Sequence, residues 1–243
     1  MSATSILETR GLTKRFGGIP AVDGVDFQLR EGELRCLIGP NGAGKSTFFK
    51  MITGQLAPTG GRVLFRGADV TGAERHVLAR HGISIKTQVP ALFDGLTVQE
   101  SVHLAARRFH SAARAKRIVD SILDETRLAE VAGRTVSRLA HGQRQWVELA
   151  MVLAREPLLL LLDEPTAGMT PEETERTAAL ITHMRARRSM IVVEHDMHFV
   201  RMIAETVTVF HQGRILMEAP LRDVLADARV RDVYLGAHVG ADA

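Results

Sequence analysis

Residues Gly39–Thr47 read GPNGAGKST, with the apolar run LRCLIG (Leu34–Gly39) before them and KSTFFKMITG (Lys45–Gly54) after. Six apolar-centred residues are too few for a helix, whereas the following segment has helical spacing, so the order is strand, glycine loop, helix. The loop is the P-loop pattern, with Gly39, Gly44, Lys45 and Ser46 in register and Pro40, Asn41, Gly42, Ala43 and Thr47 completing the turn. Glycines let successive backbone N–H groups face inward around phosphate oxygens, and the helix adds its positive N-terminus. Lys45 supplies a mobile charge for the β- and γ-phosphates, and the Ser46 hydroxyl is a ligand for Mg²⁺. An isolated glycine turn ending in Lys-Ser is the bland alternative, and the strand and helix on either side argue against it.

Downstream, LLLLLDE (Leu158–Glu164) is a continuous apolar run ending in two carboxylates. A strand covered on both faces reads this way, and its carboxyl end is where open α/β sheets bind ligands. Asp163 is there as a holder of Mg²⁺, and Glu164 can orient or deprotonate the water that attacks a γ-phosphate. A second such run, SMIVVEHD (Ser189–Asp196), delivers His195 to the same edge, where an imidazole can donate to the γ-phosphate. Gln88 lies where the first part of the chain gives way to a helical one, and its amide can reach Mg²⁺ or the attacking water. A second glycine loop, LAHGQ (Leu139–Gln143), opens a helix 21 residues before Asp163 counted from Gly142. A single nucleotide has no need of two such loops. Two chains facing head to tail would give each nucleotide one loop of each kind.

Around these motifs the chain alternates in character. ILETRGL, VDFQLREG and GRVLFRG read as short strands punctuated by glycine, up to about residue 85. From about 89 to 150 the sequence is rich in Ala, Leu, Arg and Glu, and VQESVHLAARRF and IVDSILDETRLAEV have helical spacing. TPEETERTAALITHM carries Thr170 as N-cap, Pro171 at the first helical position and Glu173 in a capping box. VTVFHQGRIL reads as a hairpin, a short charged helix follows, and AHVGADA (residues 237–243) is expected to fray. The expected architecture is one α/β unit over residues 1–243. Residues 1–88 and 151–243 form the P-loop core with an antiparallel β subdomain, and residues 89–150 form an inserted helical subdomain. The 243 residues include 31 Lys and Arg against 28 Asp and Glu, a net charge of +3, with one cysteine. That balance gives no argument for nucleic acid, and a lone Cys36 in an apolar run excludes a disulfide framework. No run approaches the ~18–20 apolar residues that span a bilayer. Arg107–Arg117 holds five basic residues and no acid, a solvated face or a contact with a partner.

Taken together, these motifs resemble the ATP-binding subunits of ABC transporters over nearly the whole chain. In that family's terms GPNGAGKST is the Walker A loop, Gln88 the Q-loop glutamine and LAHGQ the signature. LLLLLDE is Walker B with its catalytic glutamate, His195 the switch histidine, and Phe16 in KRFGG the aromatic that stacks on adenine. The resemblance implies ATP and Mg²⁺, with Lys45, Gln88, Glu164 and His195 in catalysis and Ser46, Gln88 and Asp163 on the metal. Ala140, His141, Gly142 and Gln143 would meet the nucleotide of a second ATPase subunit, a different chain being favoured over a second copy. It further implies membrane-spanning permease subunits, a periplasmic binding protein, a place on the inner face of the cell membrane, and no nucleic acid. Two positions depart from the family pattern. Ala140 and His141 replace the Ser and first Gly of LSGGQ, and Thr170 stands where many relatives carry an aspartate. The details HGQRQWVELAMVL, AGMTPEET, VVEHDM and VYLG are most similar to the urea-type importer ATPase, with the branched-chain amino acid type next. An export ATPase of a lipid pathway and an ATPase acting on ribosomes or DNA are the other readings. Translation-type relatives carry two copies per chain and repair types a long coiled coil, and this sequence has neither.

Overall fold

The computed structural model describes residues 5–87, 92–185 and 188–239. Two sheets organise them. Strands β1 (Ser5–Phe16) and β2 (Ile19–Arg30) form a long hairpin, turned at Gly17 and Gly18, both with positive φ. With β4 (Gly60–Phe65) and β5 (Ala68–Asp69) they make a four-stranded antiparallel sheet of order β2-β1-β4-β5. The central sheet adds β3 (Leu34–Ile38), β6 (Ile83–Lys86), β7 (Leu159–Asp163), β8 (Ser189–Val193), β9 (Thr206–His211) and β10 (Arg214–Pro220). Its order is β10-β9-β3-β8-β7-β6, parallel throughout except for β10 at one edge.

Both faces of that sheet are covered, which is why its strands are apolar without alternation. Leu37, Leu161 and Ile191 face α1 (Lys45–Ile52) and the antiparallel sheet. Cys36, Leu160 and Val192 face the opposite side, toward α3 (Val98–Arg107), α4 (Ala112–Glu125), α5 (His141–Leu153), α6 (Pro171–Met184) and α7 (Met197–Ile203). Leu159–Leu162 are all fully buried, each contributing about 1.5–3 kcal/mol of transfer free energy. On the hairpin side Phe48 of α1 stands edge-on to Phe27 at 5.4 Å and lies 5.2 Å from Phe210, so the helix after the glycine loop is clamped between the sheets. Cys36 is fully buried in the core, and that burial pushes its thiol well above the ordinary range.

Local chemistry explains where helices begin. Thr97 and Glu100 form a capping box at α3, and Thr170 and Glu173 form the expected one at α6. Three features go beyond the expectations from sequence. The strand β6 extends the sheet by one, and α2 (Arg75–Arg80) precedes it. After α8 (Leu221–Ala226), helix α9 (Ala228–Val239) takes in the first three residues of the AHVGADA tail; residues 240–243 lie outside the described residues. The parallel order brings the carboxyl ends of β3, β7 and β8 to one edge, with β8 between the strand of the glycine loop and that of the carboxylates.

Candidate nucleotide-binding site

The loop after β3 is shaped by backbone that comes close from both ends of the chain. Gly39 has φ 145°, and a Cβ there would lie 2.3 Å from the Phe210 carbonyl oxygen. Gly44 has φ 101°, and a Cβ would lie 2.5 Å from the Ala21 carbonyl oxygen. Neither position accepts a side chain. The Gly213 N–H donates to the Ala43 carbonyl at 2.9 Å, and the Asp23 N–H donates to Gly213 at 2.9 Å, closing the loop from behind. Helix α1 has no side-chain cap and no acid in its first turn, so its leading N–H groups are turned toward the loop as an anion site. Lys45 is 8% exposed and donates from Nζ to the Gly39 and Pro40 carbonyls at 2.5 and 3.0 Å. Burial lowers its pKa from the ordinary lysine value, with Glu164 and Asp163 opposing. An anion in the loop offers that ammonium better partners than two carbonyls.

Across the sheet edge, Asp163 ends β7 and Glu164 follows with φ 44°, a left-handed conformation held by its N–H donating to the Val193 carbonyl at 3.0 Å. Burial, and next the charge of Glu164, hold the Asp163 carboxyl above its ordinary range. Adjacent hard-oxygen donors whose repulsion a cation relieves suit Mg²⁺, which needs only one or two protein carboxylates beside substrate phosphates. His195 is exposed, with Nδ1 3.4 Å from Glu164 Oε1 and 4.0 Å from Glu194 Oε2. Glu194 itself is buried; it accepts from the Thr166 hydroxyl at 2.8 Å and the His195 N–H at 3.1 Å, and burial raises its pKa. Thus Asp163, Glu164 and His195 share one edge. Gln88 lies outside the described residues. Phe16 is 51% exposed at the hairpin tip beside Ile19, at 73%, with the Lys14 ammonium 5.4 Å from its ring centre. Ser46 is exposed at the start of α1.

The second glycine loop is built differently. Ala140 is the N-cap of α5, and its N–H donates to the Gln143 side chain at 3.2 Å, but a methyl group cannot return the bond. Only half a capping box forms, which leaves the helix end open. A Cβ on Gly142 would lie 2.2 Å from Glu173 Oε1, so a side chain there would have to push aside the capping carboxylate of α6. His141 Nε2 lies 3.1 Å from the Ala167 carbonyl oxygen. These contacts run to α6 and to the turn after Glu164.

Two polar features escaped the reading of motifs. Lys86 at the end of β6 is 1% exposed and pairs with the buried Glu148 of α5 at 3.5 Å. Arg35 in β3 is buried with ion pairs to Glu33 and Glu218 and donates to the Thr208 hydroxyl at 2.9 Å. A charge ending an apolar strand, as in ISIK, is the signal that points to the first; nothing local points to the second.

Comparison with known proteins agrees in extent and kind. The profile of the ABC transporter family matches residues 22–167. The BraF ATP-binding protein of high-affinity branched-chain amino acid transport from Pseudomonas aeruginosa is 35% identical, covering 95% of this chain and 98% of its own. LivG of Escherichia coli K12, of the same description, is 34% identical over 95% and 98%. Among solved structures, an ATP-binding cassette of an ABC transporter in its ADP conformation superposes with TM-score 0.85 at 29% identity, covering 96% and 99%. CbiO1 from Clostridium perfringens, part of a cbiONQ transporter complex, gives TM-score 0.84 at 29% identity, covering 97% and 98%. The P-loop between two sheets, the carboxylates at the end of β7 and a match along almost the full length lead to one conclusion: this chain belongs to the ABC transporter family, as an ATP-hydrolysing, ATP-binding subunit.

Proposed function

We propose that this chain drives import of branched-chain amino acids as one of two ATPase subunits that close head to tail around two nucleotides. The observation that carries the pairing is the inequality of the two helix ends. The first has glycines, a lysine and facing carboxylates, while the second has an open N-terminus and no such set around it. The second loop therefore completes a site on another chain. The substrate class follows from the relatives at 34–35% identity, which serve branched-chain amino acids. Sequence detail in HGQRQWVELAMVL, AGMTPEET, VVEHDM and VYLG puts urea first and branched-chain amino acids next; the relatives support the second of these.

In this mechanism the loop Gly39–Thr47 wraps the phosphates, Lys45 leaves its carbonyl partners for them, and Phe16 stacks on the adenine. Ser46, Gln88 and Asp163 would hold Mg²⁺, which neutralises phosphate charge when bound. Glu164 orients and deprotonates the attacking water, and His195 steadies that carboxylate from 3.4 Å and meets the γ-phosphate. Ala140, His141, Gly142 and Gln143 close over the partner's nucleotide. Among the described residues no helix is long and apolar enough to cross a membrane; in this reading permease subunits provide the passage, and a periplasmic binding protein delivers solute to them. A cleft of about 570 Å³ at the end of β6, lined by Arg75, Arg80, Ile85, Thr87, Arg108 and Arg155, is the docking place we assign to the permease, at the inner face of the membrane.

Light scattering of Glu164→Gln on a sizing column tests the pairing. The substitution keeps shape and removes the base, so turnover falls by about 10²–10⁴ and ATP with Mg²⁺ shifts the chain to a dimer. A monomer that binds ATP yet pairs only when a related ATPase is added supports the heterodimer. A monomer under both conditions overturns the head-to-tail reading.

A further inference from the structure

The turn carrying the catalytic carboxylate is joined to the second glycine loop of the same chain. A carbonyl oxygen only accepts, so the 3.1 Å contact between His141 Nε2 and Ala167 fixes the imidazole as the tautomer protonated on Nε2, donating. The Ala167 N–H in turn donates to the Glu164 carbonyl at 3.2 Å, and the Met169 N–H donates to Thr166 at 3.0 Å, which makes residues 164–169 one compact turn. The Thr166 hydroxyl runs on to Glu194, whose other oxygen takes the His195 N–H. The imidazole also needs Gly168. That residue has φ +74°, and a Cβ there would lie 3.0 Å from His141 Nε2. On the other side the amide nitrogen of the buried Gln145 lies 3.4 Å from the same nitrogen, a donor beside a donor, so it packs against the ring and takes no hydrogen bond from it. A glycine at position 141 could make none of these contacts.

We propose that His141 is a positioning residue for this chain's own site: by donating to Ala167 it holds the Glu164 turn in register with the helix end that reads the partner's nucleotide, so that filling one composite site sets the carboxylate of the other. This rests on the head-to-tail pair proposed above. Thr170, which takes the place of an aspartate in this turn, is spent on capping α6, and the imidazole is the side chain left to join turn and loop. The effect is distinct from contact of His141 with the nucleotide across the interface, because it acts on the opposite site.

Two measurements test it. In the isolated chain without nucleotide, amide exchange of the peptide spanning 164–170 should run roughly two- to tenfold faster in His141→Ala, the range of one hydrogen bond. His141→Gln, whose amide N–H reaches the same carbonyl, should restore it. His141 is exposed, so the fold survives, and an unchanged melting temperature checks this. In the working pair, Glu164→Gln (or its counterpart) in the partner leaves only this chain's Walker A and Walker B site turning over, with an intact signature facing it. His141→Ala in this chain should then lower kcat by a similar factor at unchanged KM for ATP, with rescue by Gln. Unchanged exchange in His141→Ala overturns the joint itself. Changed exchange with full turnover at this site overturns its role in coupling. Should Glu164→Gln never pair with ATP, the head-to-tail reading falls, while the exchange experiment still decides whether the joint exists.

Discussion

The two glycine loops of this chain look alike in sequence and are opposite in construction. At Gly39–Ser46 the glycines are required by positive φ and by main chain pressing in from Phe210 and Ala21, and a buried lysine waits on carbonyls. At Ala140–Gln143 the glycine makes room for a side chain, the Glu173 carboxylate, and the helix end is only half capped. The first loop carries in its own backbone what it needs to hold phosphate. The second is a half-capped helix end held in place by its neighbours, and in the proposed pair its ligand belongs to the other chain. A glycine-rich loop is thus informative only together with what forces each glycine.

The sharpest way to break this contrast is to disable one loop and read ATP binding in the isolated chain. Lys45→Ala removes charge-assisted bonds worth about 1.5–3 kcal/mol, and titration calorimetry should show affinity for ATP lower by roughly ten- to a hundredfold. Gly142→Ala should do the reverse. Its Cβ pushes the Glu173 carboxylate out of the α6 capping box, which costs about 0.5–2 kcal/mol of stability, seen as a melting temperature lower by roughly 1–8 °C, with ATP affinity of the monomer untouched. If Gly142→Ala weakens that affinity instead, the loops share one nucleotide and the contrast collapses.

A smaller effect sharpens the first loop further. The Asp163 carboxyl is held above its ordinary range by burial and by Glu164. The folded chain therefore keeps a proton that the unfolded chain has already lost, and stability falls as pH rises above about 4. Asp163→Asn should melt a few degrees higher than the parent at pH 7, the gap closing below about pH 4, as differential scanning fluorimetry without Mg²⁺ would show. An Asn variant that melts lower at pH 7 would mean that the carboxylate is already satisfied within the chain.

What is legible in the sequence is local. GPNGAGKST declares its turn because strand, glycines and helix are contiguous, and Thr170-Pro171 with Glu173 declares a helix start for the same reason. The run Leu158–Leu162 declares burial on both faces. Strand order is not local: β3 pairs with β8 and β9, more than 150 residues away, and no spacing pattern encodes that choice. The same holds for Lys86 with Glu148 and for His141 with Ala167, where each residue alone reads as a surface group. At VVEHD, attention falls on the histidine, yet the buried member that orders the turn is Glu194. Phe16 and Ile19, exposed together, make sense as an apolar tip only once the hairpin register is known.

The closure of the first loop by Gly213 has a consequence for how the protein is made. The ribosome delivers residues 39–46 well before their backing, which arrives only with Phe210 and Gly213. The β3 strand must meanwhile wait for both of its neighbours, a long-range pairing of the kind that folds slowly. A nascent chain therefore carries its most recognisable motif long before that motif can grip ATP. Nucleotide becomes a stabilising ligand only for molecules synthesised past residue 213, so truncated products gain nothing from cellular ATP and remain exposed to proteolysis.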